Sequence, residues 1–188
     1  MSRLDALHAS CARLRTIGQG LRDADLVASA YPTEWTVADV FSHLGSSATI
    51  FGHFFDDVIE SREPVEGRHQ RIWDEWNAKA PSAHVEHCLI ADGELLARLE
   101  ASDEAQRAGF EFSMGPISVG FDGFVGLRLN EHAMHTWDIE VAFDPSATIP
   151  AAIADHVVDN LALTARFSGR AGDVARTVGV ATTDTGQA

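Results

Sequence analysis

One segment of this 188-residue chain concentrates groups able to bind a metal or move a proton: Arg128-Leu-Asn-Glu131-His132-Ala-Met134-His135-Thr-Trp-Asp138. At about 100° per residue in a helix, Glu131 and His135 lie one turn apart, and Arg128 and Asp138 extend the same stripe by a turn on each side. Phe124, Leu127, Met134, Val141 and Ala142 interleave with these four on the wheel, so the stripe is predicted to run through the buried, apolar arc. Ionisable groups placed there are costly unless paired or coordinated, which makes them candidate site residues. His132 falls on the opposite side of the wheel and is predicted to be solvated.

A second segment, Trp35-Thr-Val-Ala-Asp39-Val40-Phe-Ser-His43-Leu44, carries His43 among Val40, Ser47, Ile50 and Phe54 on the same helical face. One glutamate and two histidines from two antiparallel helices can converge on one divalent ion in a bundle core, with coordination positions left for water or substrate. The other reading of Glu131, His135 and Asp138 is a buried hydrogen-bond network that ties the helices together, and spacing alone leaves both open. Asp138 can orient a ligand imidazole or pair with an arginine such as Arg128. His53, His69, His84, His87 and His156 form no convincing partner pattern and read as surface residues.

These residues need helices to position them. Leu4, Leu7, Cys11, Leu14, Ile17 and Leu21 recur at spacings of three and four and predict a long first helix from Ser2 to about Ala30. Tyr31-Pro32 breaks it, and Thr36 with Asp39 forms a capping-box pattern for a second helix to about Glu60. Residues 69–100 read as helical with an interruption at Pro81-Ser82, and 102–118, with Gly109, Gly115 and Pro116, as a long loop. A further core helix is predicted from about Val119 to Phe143, its Gly120, Gly123 and Gly126 permitting close packing, and another from Pro150 to Phe167. Alternating β-branched residues at 174–182 read as a strand, which would either be mobile or pair with a second chain, making a homodimer a candidate assembly.

Composition bounds the function. A hydrophobic content of 45% suits one well-packed domain. The net charge of −14, with no offsetting Lys/Arg cluster, repels phosphate backbones and anionic lipid, so neither nucleic acid nor a membrane is an expected partner. Cys11 and Cys88 form no CxxC pair and point to neither a disulfide framework nor a thiolate zinc site. With no secretory leader and no apolar run of about 18 residues, a soluble cytoplasmic protein is expected.

The pairing of Trp35 to Leu44 with Arg128 to Asp138, about 90 residues apart, resembles the N-terminal metal-binding domain of the mycothiol-dependent maleylpyruvate isomerase family, within the wider DinB-like superfamily. The resemblance covers roughly residues 5–168. It implies an all-α, DinB-like four-helix bundle over residues 1–170, with an additional C-terminal helix and a short extended tail, 171–188, similar to the opening of a C-terminal α/β domain that family members carry. It further implies that His43, Glu131 and His135 are the metal ligands, with zinc the commonest ion, and that mycothiol, a low-molecular-weight thiol, attacks a small-molecule electrophile as its thiolate. The outcome would be cis–trans isomerisation or S-transfer. Arg128 is either a contact for a substrate carboxylate or a structural salt bridge. The competing expectation is a metal-binding or structural bundle that acts as an interaction module without turnover.

Overall fold

Helix starts follow from local chemistry. In the computed structural model, which describes residues 1–115 and 117–162, Ser2 caps α1 (Arg3–Gly20), its Oγ accepting from the Asp5 amide while the Asp5 carboxylate accepts from the Ser2 amide. Thr36 and Asp39 form the same reciprocal pair at the start of α3 (Val37–Ile59), as their spacing predicts. The first helix stops earlier than its apolar periodicity implies. Gly18 and Gly20 weaken its last turn, Leu21 turns extended, and a separate short α2 (Asp23–Leu26) follows.

The predicted interruption at Pro81 separates α4 (Arg68–Asn77) from α5 (Pro81–Ala101), where Pro81 occupies the first turn. The predicted loop contains structure: α6 (Glu104–Gly109), capped by Asp103 with Gln106, and an antiparallel hairpin of β1 (Phe112–Met114) and β2 (Ile117–Val119). Then come α7 (Phe121–Glu140) and α8 (Ala151–Asp159). The remainder of the helix predicted to reach Phe167 and the strand predicted at 174–182 lie outside the described residues.

Four long helices make the bundle. α3 packs on α5 and α7, and α1 packs on α7 and α5, so the helices form a closed ring in the order α1, α7, α3, α5. His43 faces His135 while Phe51, two turns later on α3, faces Phe124, earlier on α7; the two helices therefore run antiparallel. Farther along α3, Phe110 packs on Phe55 and Phe124, and Phe112 of β1 packs on Phe54 and Phe124, closing that end of the core. Gly45 lets the Trp76 indole lie directly on α3, since a Cβ there would sit 2.1 Å from it. Gly126 similarly admits Arg3 of α1 against α7. Among the described residues, no helix is long and apolar enough to cross a membrane.

The core centre is polar. Arg128, 1% exposed, donates from Nη2 to the Leu44 carbonyl at 3.0 Å and to Asp92 Oδ1 at 2.7 Å. Asp92 Oδ2 lies 3.0 Å from His132 Nε2, and His132 Nδ1 lies 2.8 Å from Ser10 Oγ. Burial on its own would raise the Asp92 carboxyl, but the neighbouring His132 and Arg128 overcome it and hold that carboxyl below the usual aspartate range.

Candidate metal centre

His43 comes from the second turn of α3 and Glu131 and His135 from the later half of α7, one turn apart as the sequence spacing requires. The three converge: one ligand atom from each lies within 4.8 Å of the other two. His43 Nε2 is 3.2 Å from Glu131 Oε2, and His135 Nε2 is 3.8 Å from the same oxygen. Both imidazoles thus present Nε2 toward one carboxylate, with ring centroids 4.5 Å apart. The hydrogen bond to His43 chiefly, with the charges of His135, His43 and Arg128, holds the Glu131 carboxyl below the usual glutamate range against the opposing effect of burial.

The supports around the trio come from adjacent chain. Asp138 Oδ2 lies 2.7 Å from His135 Nδ1, and the ring's Nε2 is turned toward Glu131. Trp35 lies against both rings, 5.3 Å from His43 and nearly parallel to His135 at 5.9 Å. The loop that carries Trp35 is clamped at its base by the Ser29–Thr36 bridge and tied to α7 by the Tyr31 amide, which donates to the Asp138 carbonyl at 3.2 Å. Asp138 therefore holds the histidine through its side chain and the loop through its backbone.

Several expectations are corrected. The stripe does not stay on one buried face: Arg128 and Asp138 are buried, whereas the Glu131 side chain is 47% exposed and Met134 also faces solvent. The site opens outward on the Glu131 side. Arg128 points into the core, where its guanidinium pairs with Asp92. His132, expected in solvent, is fully buried, because α1 packs on the side of α7 that the wheel assigned to water and Asp92 reaches across from α5 to its ring. His84 is buried too, its Nε2 against the Trp76 carbonyl at 3.0 Å. Asp92 and Ser10 escaped notice, although Asp92 stands among Cys88, Leu89, Leu95 and Leu99 on the apolar arc of α5, the kind of placement that marked Arg128.

A helical bundle with an outward-opening His-Glu-His cluster between two antiparallel helices defines the class: a bundle domain with a candidate metal centre. The sequence matches the mycothiol maleylpyruvate isomerase N-terminal domain family over residues 7–140, and the chain belongs to that family. Two solved structures share its fold. The mycothiol-dependent maleylpyruvate isomerase aligns with a TM-score of 0.69 at 14% identity, covering 85% of this chain and 66% of that one. A histidine-to-alanine mutant of the isomerase aligns with a TM-score of 0.68 at 13% identity and the same coverage. This chain therefore spans just under two thirds of the length of those structures. No curated protein matches.

Proposed function

We propose that this chain is the metal-binding domain of a mycothiol-using enzyme, a maleylpyruvate isomerase-like cis–trans isomerase or a related thiol S-transferase. The carrying observation is the convergence of His43 Nε2, His135 Nε2 and a Glu131 carboxylate oxygen on one point beside open solvent. Two imidazoles and a carboxylate suit zinc, and three protein ligands leave room for a further one. The donor set fits, and Asp138 supplies the partner that a ligating imidazole requires at its other nitrogen.

A zinc ion held there would keep a low-molecular-weight thiol in its thiolate form at neutral pH, below a free value of about 8.5. In the isomerase reading, the thiolate sulfur adds to the activated cis double bond, the former double bond rotates as a single bond, and elimination returns the thiolate with the trans product. In the transferase reading, the adduct is protonated and released. Glu131 and the two histidines orient the site, Trp35 walls off one side of both rings, and the Glu131 side admits the thiol and the electrophile. Neither route calls on a protein cysteine. The same reading assigns a bundle domain to residues 1–170 and the beginning of a second domain to 171–188, a stretch that lies outside the described residues.

The test combines metal analysis with turnover. Wild-type protein should hold zinc at the open site and isomerise maleylpyruvate, or form a thioether, only with mycothiol present, and His43→Ala should lose both the ion of that site and the turnover. Zinc uptake without any thiol-dependent turnover would instead support the non-catalytic binding module.

A further inference from the structure

We propose that the bundle core holds a second divalent-ion site, formed by Cys11 of α1, Asp92 of α5 and His132 of α7. One ligand atom from each lies within 4.8 Å of the other two, so the three helices bring a sulfur, a carboxylate oxygen and an imidazole nitrogen to one point. This set is separate from His43, Glu131 and His135 and shares no residue with it. The two cysteines are far apart in sequence, and no spacing pattern marks Cys11; only the packing of α1 against α5 and α7 brings it to the two other donors.

Each donor has its support in place. Asp92 Oδ1 is taken by the Arg128 guanidinium, which leaves Oδ2 directed at His132. His132 Nδ1 faces the Ser10 hydroxyl at 2.8 Å and the Thr136 hydroxyl at 3.3 Å. A hydroxyl can accept as readily as it donates, so Ser10 can receive the Nδ1 proton once Nε2 gives its lone pair to an ion, the arrangement usual for ligating histidines. A cleft of about 210 Å³ between α1 and α5, lined by Cys11 and Asp92 together with His8, Arg15, Leu89 and Leu96, supplies an entry path and space for a water as a fourth ligand.

The donor set names the ion class. Sulfur with imidazole and carboxylate suits zinc or cobalt and not magnesium or calcium, which take oxygen. Binding converts the Cys11 thiol to thiolate: one S–H bond breaks, one sulfur–metal bond forms, and the proton leaves through the cleft to water. The ion takes sulfur as thiolate, so binding at this site is coupled to loss of the Cys11 proton. Cys88 is nearby, with Sγ 4.0 Å from Asp92 Oδ2, but it is not one of the three converging donors.

Cobalt(II) titration of the metal-free protein tests the site independently of the first, because the first has no sulfur. Wild-type protein should show a near-ultraviolet thiolate-to-cobalt charge-transfer band. His43→Ala should keep the band with one ion fewer per chain, Cys11→Ser should lose it, and Cys88→Ser should retain it. Circular dichroism and a thermal melt establish that each variant is folded. X-ray absorption at the zinc edge of wild-type protein should likewise find a sulfur neighbour, a reading that needs no variant. Absence of both the band and a sulfur neighbour in folded wild-type protein overturns the proposal, as does persistence of the band in folded Cys11→Ser. Loss of metal from the His43 cluster with the sulfur band intact would overturn only the function proposed above.

Discussion

The 2.7 Å contact between Asp138 Oδ2 and His135 Nδ1 fixes which nitrogen of His135 faces Glu131. Asp138→Asn keeps the shape and loses the charge, so zinc affinity is expected to fall by about 10–100-fold while the fold stays intact. Competition against a chelator of known affinity measures the fall, and an unchanged affinity would reduce Asp138 to a structural partner. Histidines 132 and 135 should part ways under the same substitution. His135→Ala should abolish zinc uptake at the open site with little loss of stability, because the side chain is 22% exposed. His132→Ala removes a fully buried ring and leaves Asp92 Oδ2 and Ser10 short of a partner, a cost of about 1–3 kcal/mol for each unsatisfied buried group. Denaturant unfolding of the two variants side by side would expose the difference. The trio of His43, Glu131 and His135 was legible because one helical turn separates the α7 pair and an apolar arc surrounds His43. The fate of His132 was not, since a wheel shows which residues share a side and not how many sides are covered.

At the scale of elements, four helices were readable from their periods and caps. Thr36 with Asp39 marks one start and Pro81 another, and apolar spacing carries the lengths except in α1, which stops before its periodicity does. Short pieces escaped. The hairpin of β1 and β2 is held by Phe112 packing on Phe54, far away in sequence, and on Phe124 of the following helix, and nothing in its own few residues requires strand. The Asp103 and Gln106 pair was a usable signal for α6, overshadowed by the glycines that follow. Close approach is equally invisible in sequence. Gly45, one turn from neither cap nor kink, matters because Trp76 lies on it, with Cη2 at 2.1 Å from where a Cβ would stand. Gly45→Ala should displace the indole, destabilise the protein by about 1–3 kcal/mol despite the better helix propensity, and disturb α3 two residues from His43. Chemical denaturation with tryptophan fluorescence gives the answer; a stabilised variant would mean that α4 is free to shift.

All four bundle helices meet at Asp92 or one contact away from it: Arg128 and His132 from α7 bind its carboxylate, Arg128 also reaches the Leu44 carbonyl of α3, and His132 reaches Ser10 of α1. A buried cation that lost this carboxylate would have no other counter-charge in the contacts described, and breaking such a pair costs about 3–5 kcal/mol. The pH dependence follows from the direction of the shift. The folded Asp92 carboxyl is held below its unfolded value of about 3.9, so in the window between the two the unfolded chain binds more protons. Its contribution to stability is therefore complete above the unfolded value and is lost as the pH falls through the folded one. In chelator, to keep ions from the Cys11 cluster, Asp92→Asn should destabilise the protein at neutral pH, and the gap from wild type should narrow steadily in acid. Urea unfolding across pH provides the measurement. A gap that does not change with pH would mean that Asp92 contributes through shape and hydrogen bonding alone, with no ionised carboxylate at the centre of the bundle.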